Sequence, residues 1–168
     1  MGSFIVLVED DHLQEGPLED HIRGSFPGAT IEVLGTEQEF RSRLPEYRRR
    51  RPDVVVLDVM LRWSYPSRTP AAPPPDVVEG GYQRAGIRCA DLMAADDTLR
   101  DVPVIYYTIL ERRDLERDVE QVSDGRRYVR KSADPEILAR KVRELLTARP
   151  PSDPAGVRPR RPPHDGRP

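Results

Sequence analysis

The sequence has 168 residues, one cysteine and a formal net charge of −2 at pH 7. This length fits one domain of common size, and a lone Cys89 excludes an internal disulfide framework. Residues 149–168 carry five arginines and two aspartates, so the rest of the chain is mildly acidic, which does not favour a nucleic-acid partner. The first apolar run, residues 4–8, is too short for a signal peptide or a membrane span. We therefore expect a cytoplasmic protein with no membrane contact.

The chain begins with a strand that is followed by a helix. Residues 4–8 (FIVLV) are rich in β-branched side chains, as in strands that are buried on both faces. A helix should follow from about Leu13 to Ser25. Gly16 and Pro17 fall inside it, and proline lacks the amide that a helix uses for its hydrogen bonds. The helix therefore either starts late, near Gly16, or is kinked there.

A second strand and a second helix come next. Residues 30–34 predict the strand. Thr36 and Glu39 have the spacing of a capping box, which marks the start of a helix. Apolar side chains then recur on one face of this helix: Phe40, Leu44 and Tyr47.

The third predicted strand, residues 54–57, leads into an unusual connection. The segment from Trp63 to Gly81 contains five prolines and two adjacent glycines. This is long for a link between a strand and the helix that follows it. We predict a Pro-rich insertion at residues 62–81.

The last two strands are predicted at residues 104–107 and around residues 128–129. Leu115, Val119 and Val122 have the spacing of an amphipathic helix between them.

The final helix should open at Asp134, an N-cap residue, with Pro135 at the first helical position. Its apolar stripe has five members: Ile137, Leu138, Val142, Leu145 and Leu146. Residues 149–168 contain seven prolines and no apolar periodicity, which predicts a disordered or extended tail.

Five strands that alternate with helices predict a doubly wound parallel α/β sheet with helices on both faces. The carboxyl ends of parallel strands lie along one edge of the sheet, where ligands of such folds bind. Polar residues follow four of the strands: Glu9, Asp10, Asp11, Asp58, Thr108 and Lys131. We expect these residues to share that edge.

The chemistry of such an edge can be derived from its residue types. Clustered carboxylates repel one another, and a divalent cation relieves the repulsion. Mg²⁺ prefers oxygen ligands, above all carboxylates, water and phosphate. One carboxylate can then attack phosphorus, provided that an ammonium and a hydroxyl bind the transferred oxygens. Lys131 and Thr108 supply these two groups, so the edge predicts Mg²⁺-dependent phosphoryl transfer.

Four segments of the chain resemble the signature segments of response-regulator receiver domains, the CheY-like family of two-component signalling. They are VLVEDD, VVVLDVML, VIYYT and YVRKS, in the family's order. The resemblance covers about residues 3–147 and implies a flavodoxin-like (βα)5 fold with strand order 2-1-3-4-5. It also implies that a histidine kinase or phosphotransfer protein donates a phosphoryl group to Asp58.

The resemblance also implies a set of Mg²⁺ ligands. Glu9 and Asp10 match the acidic pair of the family, in which Asp10 would be a direct ligand and Glu9 would act through water. Asp58 and the backbone carbonyl of Met60 would complete the protein ligands. Asp11, one place later, is expected only to cap the first helix.

Further roles follow from the same resemblance. Thr108 and Lys131 would bind phosphoryl oxygens, and Tyr128 would be a switch aromatic that turns inward when Thr108 is drawn to the phosphoryl group. This would change the α4-β5-α5 face of the family, where an unknown downstream protein or a second copy of the chain could bind. Without the family context, Tyr128 equally fits a core aromatic and Thr108 an ordinary strand-end hydroxyl.

The insertion departs from the family pattern. Arg62 stands where many receivers have proline, and about fifteen extra residues follow before Gly81. Trp63 and Tyr65 lie at the start of the insertion. They could pack as a lid over Asp58 or form a partner surface, and a Pro-stiffened surface loop is an equally good interpretation.

Two further positions depart from the family. Ile109 follows Thr108 where receivers prefer a small residue, and it should narrow access to the phosphoryl site. Ser132 follows Lys131 where the family has a proline in a cis bond. A cis bond before serine costs about 3 kcal/mol, so a trans bond or strain is expected.

We expect a receiver domain at residues 1–148 and a Pro/Arg-rich tail at residues 149–168, with no attached output domain. The chain would then be a single-domain response regulator, which is a signalling phosphoacceptor and not an enzyme. One alternative is a pseudo-receiver, a binding module that keeps the fold without regulated phosphorylation. Another is an aspartyl phosphatase, which would need an acid at the position of Met60.

Overall fold

Five parallel strands form the sheet at the centre of the fold. The structure, a computed structural model, describes residues 2–10, 12–118, 126–131 and 134–148. The strand order is β2-β1-β3-β4-β5, and each pairing is parallel. The strands are β1 (Phe4–Val8), β2 (Thr30–Leu34), β3 (Val54–Leu57), β4 (Val104–Thr108) and β5 (Arg126–Arg130). The predicted flavodoxin-like architecture and strand order are confirmed.

The described part of the chain contains six α-helices. They are α1 (His12–Ser25), α2 (Glu37–Arg49), α3 (Pro75–Gly80), α4 (Ala85–Ala94), α5 (Arg112–Asp118) and α6 (Glu136–Ala148). The short α3 lies inside the insertion and was not predicted from the sequence. The third, fourth and fifth helices of the receiver pattern are therefore α4, α5 and α6 here.

The central strands contribute side chains to two separate cores. In β1, Val6 and Val8 join the core that contains residues of α2, α4 and α5. Ile5 and Leu7 point the other way and join the core that contains residues of α1 and α6. This burial on both faces explains why β1 and β3 are continuously apolar and do not alternate with polar residues.

The start of α2 confirms the predicted capping box. The Thr36 hydroxyl accepts a hydrogen bond from the Glu39 amide at 3.1 Å, and the Glu39 carboxylate accepts one from the Gly35 amide at 2.9 Å. Phe40 and Tyr47 are fully buried. The cap and the apolar face together hold α2 against the sheet.

The start of α6 agrees with the prediction, but one member of its apolar stripe does not. Asp134 Oδ1 accepts a hydrogen bond from the Glu136 amide at 3.0 Å. The prediction that Ile137 joins the stripe is wrong, because this side chain is 39% exposed. The helix buries the side that is centred one residue later: Leu138, Ala139 and Val142. Ile137 lies at the edge of this side, about 100° around the helix from Leu138.

Helix α1 begins at His12 and continues through Pro17. The alternative of a late start near Gly16 is therefore wrong. A proline removes one main-chain hydrogen bond from a helix. Burial of Leu18 and Ile22 in the core between α1, α6 and the sheet offsets this loss.

Some predicted features lie outside the described residues: Asp11, Val119, Val122, Ser132 and the tail at residues 149–168. Their proposed roles stay predictions. Among the helices that the structure describes, none has the length and apolar character needed to cross a membrane.

Candidate functional site

Three of the predicted site residues form a buried ion cluster at the carboxyl edge of the sheet. Lys131 Nζ lies 2.7 Å from Asp58 Oδ2 and 2.7 Å from Glu9 Oε2. The three side chains are 4–7% exposed. Each residue directly follows its strand, β5, β3 or β1. The long lysine side chain therefore spans the end of β4 to reach the two acids.

Main-chain hydrogen bonds fix where these side chains begin. The Asp58 amide donates to the Val8 carbonyl at 2.8 Å, and the Lys131 amide donates to the Thr108 carbonyl at 2.9 Å. The sheet pairing thus continues one residue past the ends of β3 and β5. The position of the cluster is set by the sheet itself and not by a mobile loop.

The lysine neutralises part of the buried negative charge. Burial disfavours the ammonium and by itself lowers the pKa of Lys131, but the charges and hydrogen bonds of Asp58 and Glu9 outweigh the burial. The pKa of Lys131 therefore lies above its ordinary value of 10.5, and the side chain is charged at neutral pH. Three carboxylates, those of Glu9, Asp10 and Asp58, thus lie at the same edge as the ammonium of Lys131.

The acidic residues of the cluster have the donor set of a hard-cation site. Glu9, Asp10 and Asp58 each offer a carboxylate oxygen, and these atoms lie within 4.8 Å of one another. Three carboxylate oxygens this close together could hold one hard cation such as Mg²⁺, which takes oxygen ligands. The Met60 amide donates to Asp58 Oδ1 at 3.3 Å. The role of the Met60 carbonyl as a ligand stays a prediction.

Asp10 has a partner that was not expected from the sequence. Arg62 donates from its amide to Asp10 Oδ2 at 3.1 Å and from Nε to the same oxygen at 3.3 Å. Its Nη2 atom also donates to the Asp10 carbonyl oxygen at 3.2 Å. Arg62 was singled out as a departure from the family pattern, but no local pattern connects it with an acid that is 52 residues away.

Thr108 and Tyr128 are connected through one residue of the loop after β4. The fully buried Thr108 hydroxyl oxygen accepts a hydrogen bond from the Leu110 amide at 3.4 Å. The Tyr128 hydroxyl donates to the Leu110 carbonyl at 2.6 Å, and its ring packs partly buried against the core of α2 and α4. The loop thus links Thr108, which is predicted to bind a phosphoryl oxygen, to Tyr128, the predicted switch aromatic. Ile109, between Thr108 and Leu110, is 57% exposed.

Tyr107 and Gly86 also belong to the surroundings of the site, and sequence reasoning missed both. Lys131 Nζ lies 5.8 Å from the centre of the Tyr107 ring, and burial raises the pKa of this phenol. A Cβ atom on Gly86 would lie 2.0 Å from the carbonyl oxygen of Asp58. Helix α4 therefore packs backbone against backbone beneath the acid. The adjacent small residues Ala85 and Gly86 were the available signal.

The start of the insertion packs against α2. The Trp63 indole N–H donates to the Ala71 carbonyl at 3.0 Å, and the Arg41 guanidinium lies 5.6 Å from the centre of the Trp63 ring. The Tyr65 hydroxyl lies so close to Gly35 that a Cβ there would be 1.8 Å away from it. These contacts place both aromatic residues beside α2, and a role for them in covering Asp58 stays a prediction.

A second charge cluster, built around one buried glutamate, joins the insertion to α2 and α4. The fully buried Glu37 binds Arg41 at 2.7 Å and Arg88 at 2.6 Å. Arg41 also binds Asp76 of α3, and this pairing lowers the pKa of Asp76. Arg88 Nη1 donates to the Gly81 carbonyl at 2.9 Å. This cluster was not predicted from the sequence.

Comparison with known proteins places the fold in a recognised class. No protein-family model matches the sequence, and no curated protein is significantly similar to it. Many solved structures match. One is the signal receiver domain of a signal transduction histidine kinase from Syntrophus aciditrophicus, which is 25% identical over 92% of this chain and 97% of its own, with a TM-score of 0.64.

Two other solved structures are similar in fold to this chain. The receiver domain of a sensor histidine kinase from Pseudomonas aeruginosa, with a magnesium ion in its active-site cleft, is 21% identical over 88% of this chain and 99% of its own, with a TM-score of 0.60. The phosphorylated cyanobacterial phytochrome response regulator RcpA is 20% identical over 86% of this chain and 91% of its own, with a TM-score of 0.59. The strand order and these similarities identify the fold of this chain as that of a CheY-like receiver domain.

Proposed function

We propose that the chain is a phosphoacceptor that receives a phosphoryl group on Asp58 from a histidine kinase or phosphotransfer protein. The observation that carries this proposal is the buried cluster of Glu9, Asp58 and Lys131 with Asp10 beside it. A carboxylate, an ammonium and further oxygen ligands at one strand edge are the groups that phosphoryl transfer requires.

The proposed reaction is a transfer from nitrogen to oxygen. A carboxylate oxygen of Asp58 attacks phosphorus, the new P–O bond forms as the P–N bond of the donor breaks, and the imidazole keeps the electron pair and takes up a proton. Lys131 already binds Asp58, and after the transfer its ammonium would bind a negatively charged phosphoryl oxygen. The Thr108 hydroxyl would donate to another. Mg²⁺, held by Glu9, Asp10 and Asp58, would neutralise charge on the transferred group.

The output of this site would be a protein contact. We propose that movement of Thr108 is passed through Leu110 to Tyr128 and alters the face formed by α5, β5 and α6. This is the face that we propose for a downstream protein or a second copy of the chain. In this proposal the chain acts in the cytoplasm and catalyses at most its own Mg²⁺-dependent phosphorylation and dephosphorylation.

Mass spectrometry tests the proposal directly. The protein is incubated with acetyl phosphate or phosphoramidate and Mg²⁺, and its intact mass is measured. We expect one added phosphoryl group on the wild type and none on Asp58→Asn. An unmodified wild type, or a group that persists in Asp58→Asn, would contradict the proposal.

The pseudo-receiver is a second candidate, which the contacts of Arg62 with Asp10 specifically favour. A guanidinium at a cation ligand weakens the attraction of the site for a second positive charge. A titration with Mg²⁺ that is measured by isothermal calorimetry separates the two candidates. Heat of binding that disappears in Asp10→Asn supports the phosphoacceptor, whereas absence of binding supports the pseudo-receiver. The phosphatase alternative lacks support, because Met60 occupies the position of the required acid.

A further inference from the structure

Arg62 connects the proposed cation site to the insertion. Its amide and Nε atom both donate to Asp10 Oδ2, and its Nη2 atom donates to the Asp10 main-chain oxygen. The Arg62 and Asp10 side chains are 37% and 23% exposed, so this contact is accessible to ions from solution. One residue at the start of the insertion thus holds both the side chain and the backbone of a proposed cation ligand.

A divalent cation would compete with this contact. Asp10 Oδ2 accepts two hydrogen bonds from Arg62, and a cation that took this oxygen would displace at least one of them. A cation at the other oxygen of the same carboxylate would still lie close to the positive guanidinium. Both arrangements oppose simultaneous binding of Arg62 and a cation to Asp10.

The contact is continuous with the first turn of α2. The Arg62 carbonyl accepts from the Glu37 amide at 3.1 Å, and the Trp63 carbonyl accepts from the Gln38 amide at 2.9 Å. Arg41, one turn further on, lies over the Trp63 ring and binds Glu37. A displacement of the Arg62 side chain would therefore first change the surroundings of Trp63, the one tryptophan of the sequence.

We propose that Arg62 is a positioning residue that holds Asp10 while the cation site is empty, and that cation binding releases Arg62 and rearranges the start of the insertion. This inference rests on the proposed function, because it concerns the same cation site. It adds a path by which occupancy of the site is transmitted to the surface of α2 and the insertion. By linkage, Arg62 weakens cation binding by the same factor by which the cation weakens the hold of Arg62 on Asp10.

The affinity for Mg²⁺ tests the inference. Calorimetric titration of the full chain is compared between wild type, Arg62→Ala and Arg68→Ala, since Arg68 is an exposed arginine of the same insertion. We expect Arg62→Ala to bind Mg²⁺ about tenfold more tightly, a usual size for coupling between two sites. Arg68→Ala should bind like the wild type.

Two outcomes overturn the inference and separate it from the proposed function. If wild type and Arg62→Ala bind Mg²⁺ equally, or if the variant binds more weakly, the inference is wrong and the proposed function stands. If neither binds Mg²⁺, both are wrong.

Further variants and a second signal complete the design. If Arg62→Ala does not fold, Arg62→Gln should bind Mg²⁺ more tightly than the wild type does. Arg62→Lys should bind Mg²⁺ about as well as the wild type, because it keeps the positive charge that opposes the cation. Mg²⁺ should also shift the fluorescence emission of Trp63 in the wild type, and less so in Arg62→Gln. Emission that stays constant while calorimetry reports binding would overturn the proposed rearrangement.

Discussion

The ammonium of Lys131 contacts the carboxylate of Asp58 at 2.7 Å, although 73 residues separate them in the sequence. Both side chains are almost fully buried, and Glu9 shares the same ammonium. The pair lies where β3 and β5 leave the core, so the sheet topology creates it. This contact makes the site depend on the balance between its carboxylates and the one buried ammonium.

Lys131→Met is expected to destabilise the protein when Mg²⁺ is absent. It leaves Asp58 and Glu9 buried without their shared cation, which costs about 3 kcal/mol of unfolding free energy. Mg²⁺ should restore part of this loss, because it supplies positive charge to the same carboxylates. Urea unfolding with and without Mg²⁺ measures both effects. The control Lys141→Met removes an exposed pair with Glu144 and should have a much smaller effect, because solvent screens the exposed charges. Equal losses in the two variants would contradict the prediction.

Gly86→Ala is expected to displace the backbone of Asp58. The new Cβ atom would lie 2.0 Å from the Asp58 carbonyl oxygen, which is backbone and cannot move aside without moving Asp58. We expect a loss of about 1–3 kcal/mol in unfolding free energy and slower labelling of Asp58 by acetyl phosphate. Gly24→Ala is the matched control in α1, where a Cβ meets nothing within 4 Å and stability should rise by up to about 1 kcal/mol. Normal labelling in Gly86→Ala would contradict the predicted link to Asp58.

Tyr128→Phe tests the connection between the β4 loop and the proposed output face. The variant loses the hydrogen bond from Tyr128 to the Leu110 carbonyl, and it keeps the ring. A hydrogen bond of this kind contributes about 1 kcal/mol, so labelling of Asp58 should become up to about fivefold faster if the loop must move during the reaction. Tyr82→Phe, at a ring that is 59% exposed, is the control. Unchanged or slower labelling would show that Tyr128 acts only in packing.

Tyr106 predicts how stability falls at alkaline pH. Burial raises the pKa of Tyr106 to about 12, from an ordinary value of 10.0. The unfolded chain loses this proton near pH 10 and the folded chain keeps it, so the folded state binds more protons between these values. The contribution of Tyr106 to stability is therefore complete below pH 10 and is lost as the pH rises towards 12.

Tyr106→Phe isolates this effect. The difference in urea midpoint between wild type and variant should be constant at neutral pH and should shift against the wild type above pH 10. Tyrosinate absorbance should show one late-titrating phenol fewer in the variant. The Arg126 guanidinium donates to the Tyr106 hydroxyl at 3.1 Å, so the variant also loses one buried hydrogen bond at every pH. A midpoint difference that does not depend on pH would contradict the assignment.

Local patterns in the sequence were sufficient to predict the strands, most of the helices and the residues that end the strands. Apolar runs such as Phe4–Val8, the Thr36 and Glu39 capping box and the Asp134 cap are encoded within a few neighbouring residues, so local physical chemistry is sufficient to predict them. The same holds for the order of the polar strand ends Glu9, Asp58, Thr108 and Lys131, because a parallel sheet brings its carboxyl ends together. The exposed Ile137 shows the limit of periodicity, since the edge of a helix face depends on how the helix is rotated against its sheet.

The tertiary structure alone decided which distant groups meet. The contact between Asp10 and Arg62 spans 52 residues, and the ion pair between Glu37 and Arg88 spans 51. The close approach of Gly86 to the Asp58 backbone depends on how deeply α4 packs against β3. No local pattern in the sequence indicates the partner in these contacts, because each depends on the path of the chain between the two residues. For this reason the catalytic groups of the proposed site were predictable, whereas the attachment of the insertion to them was not.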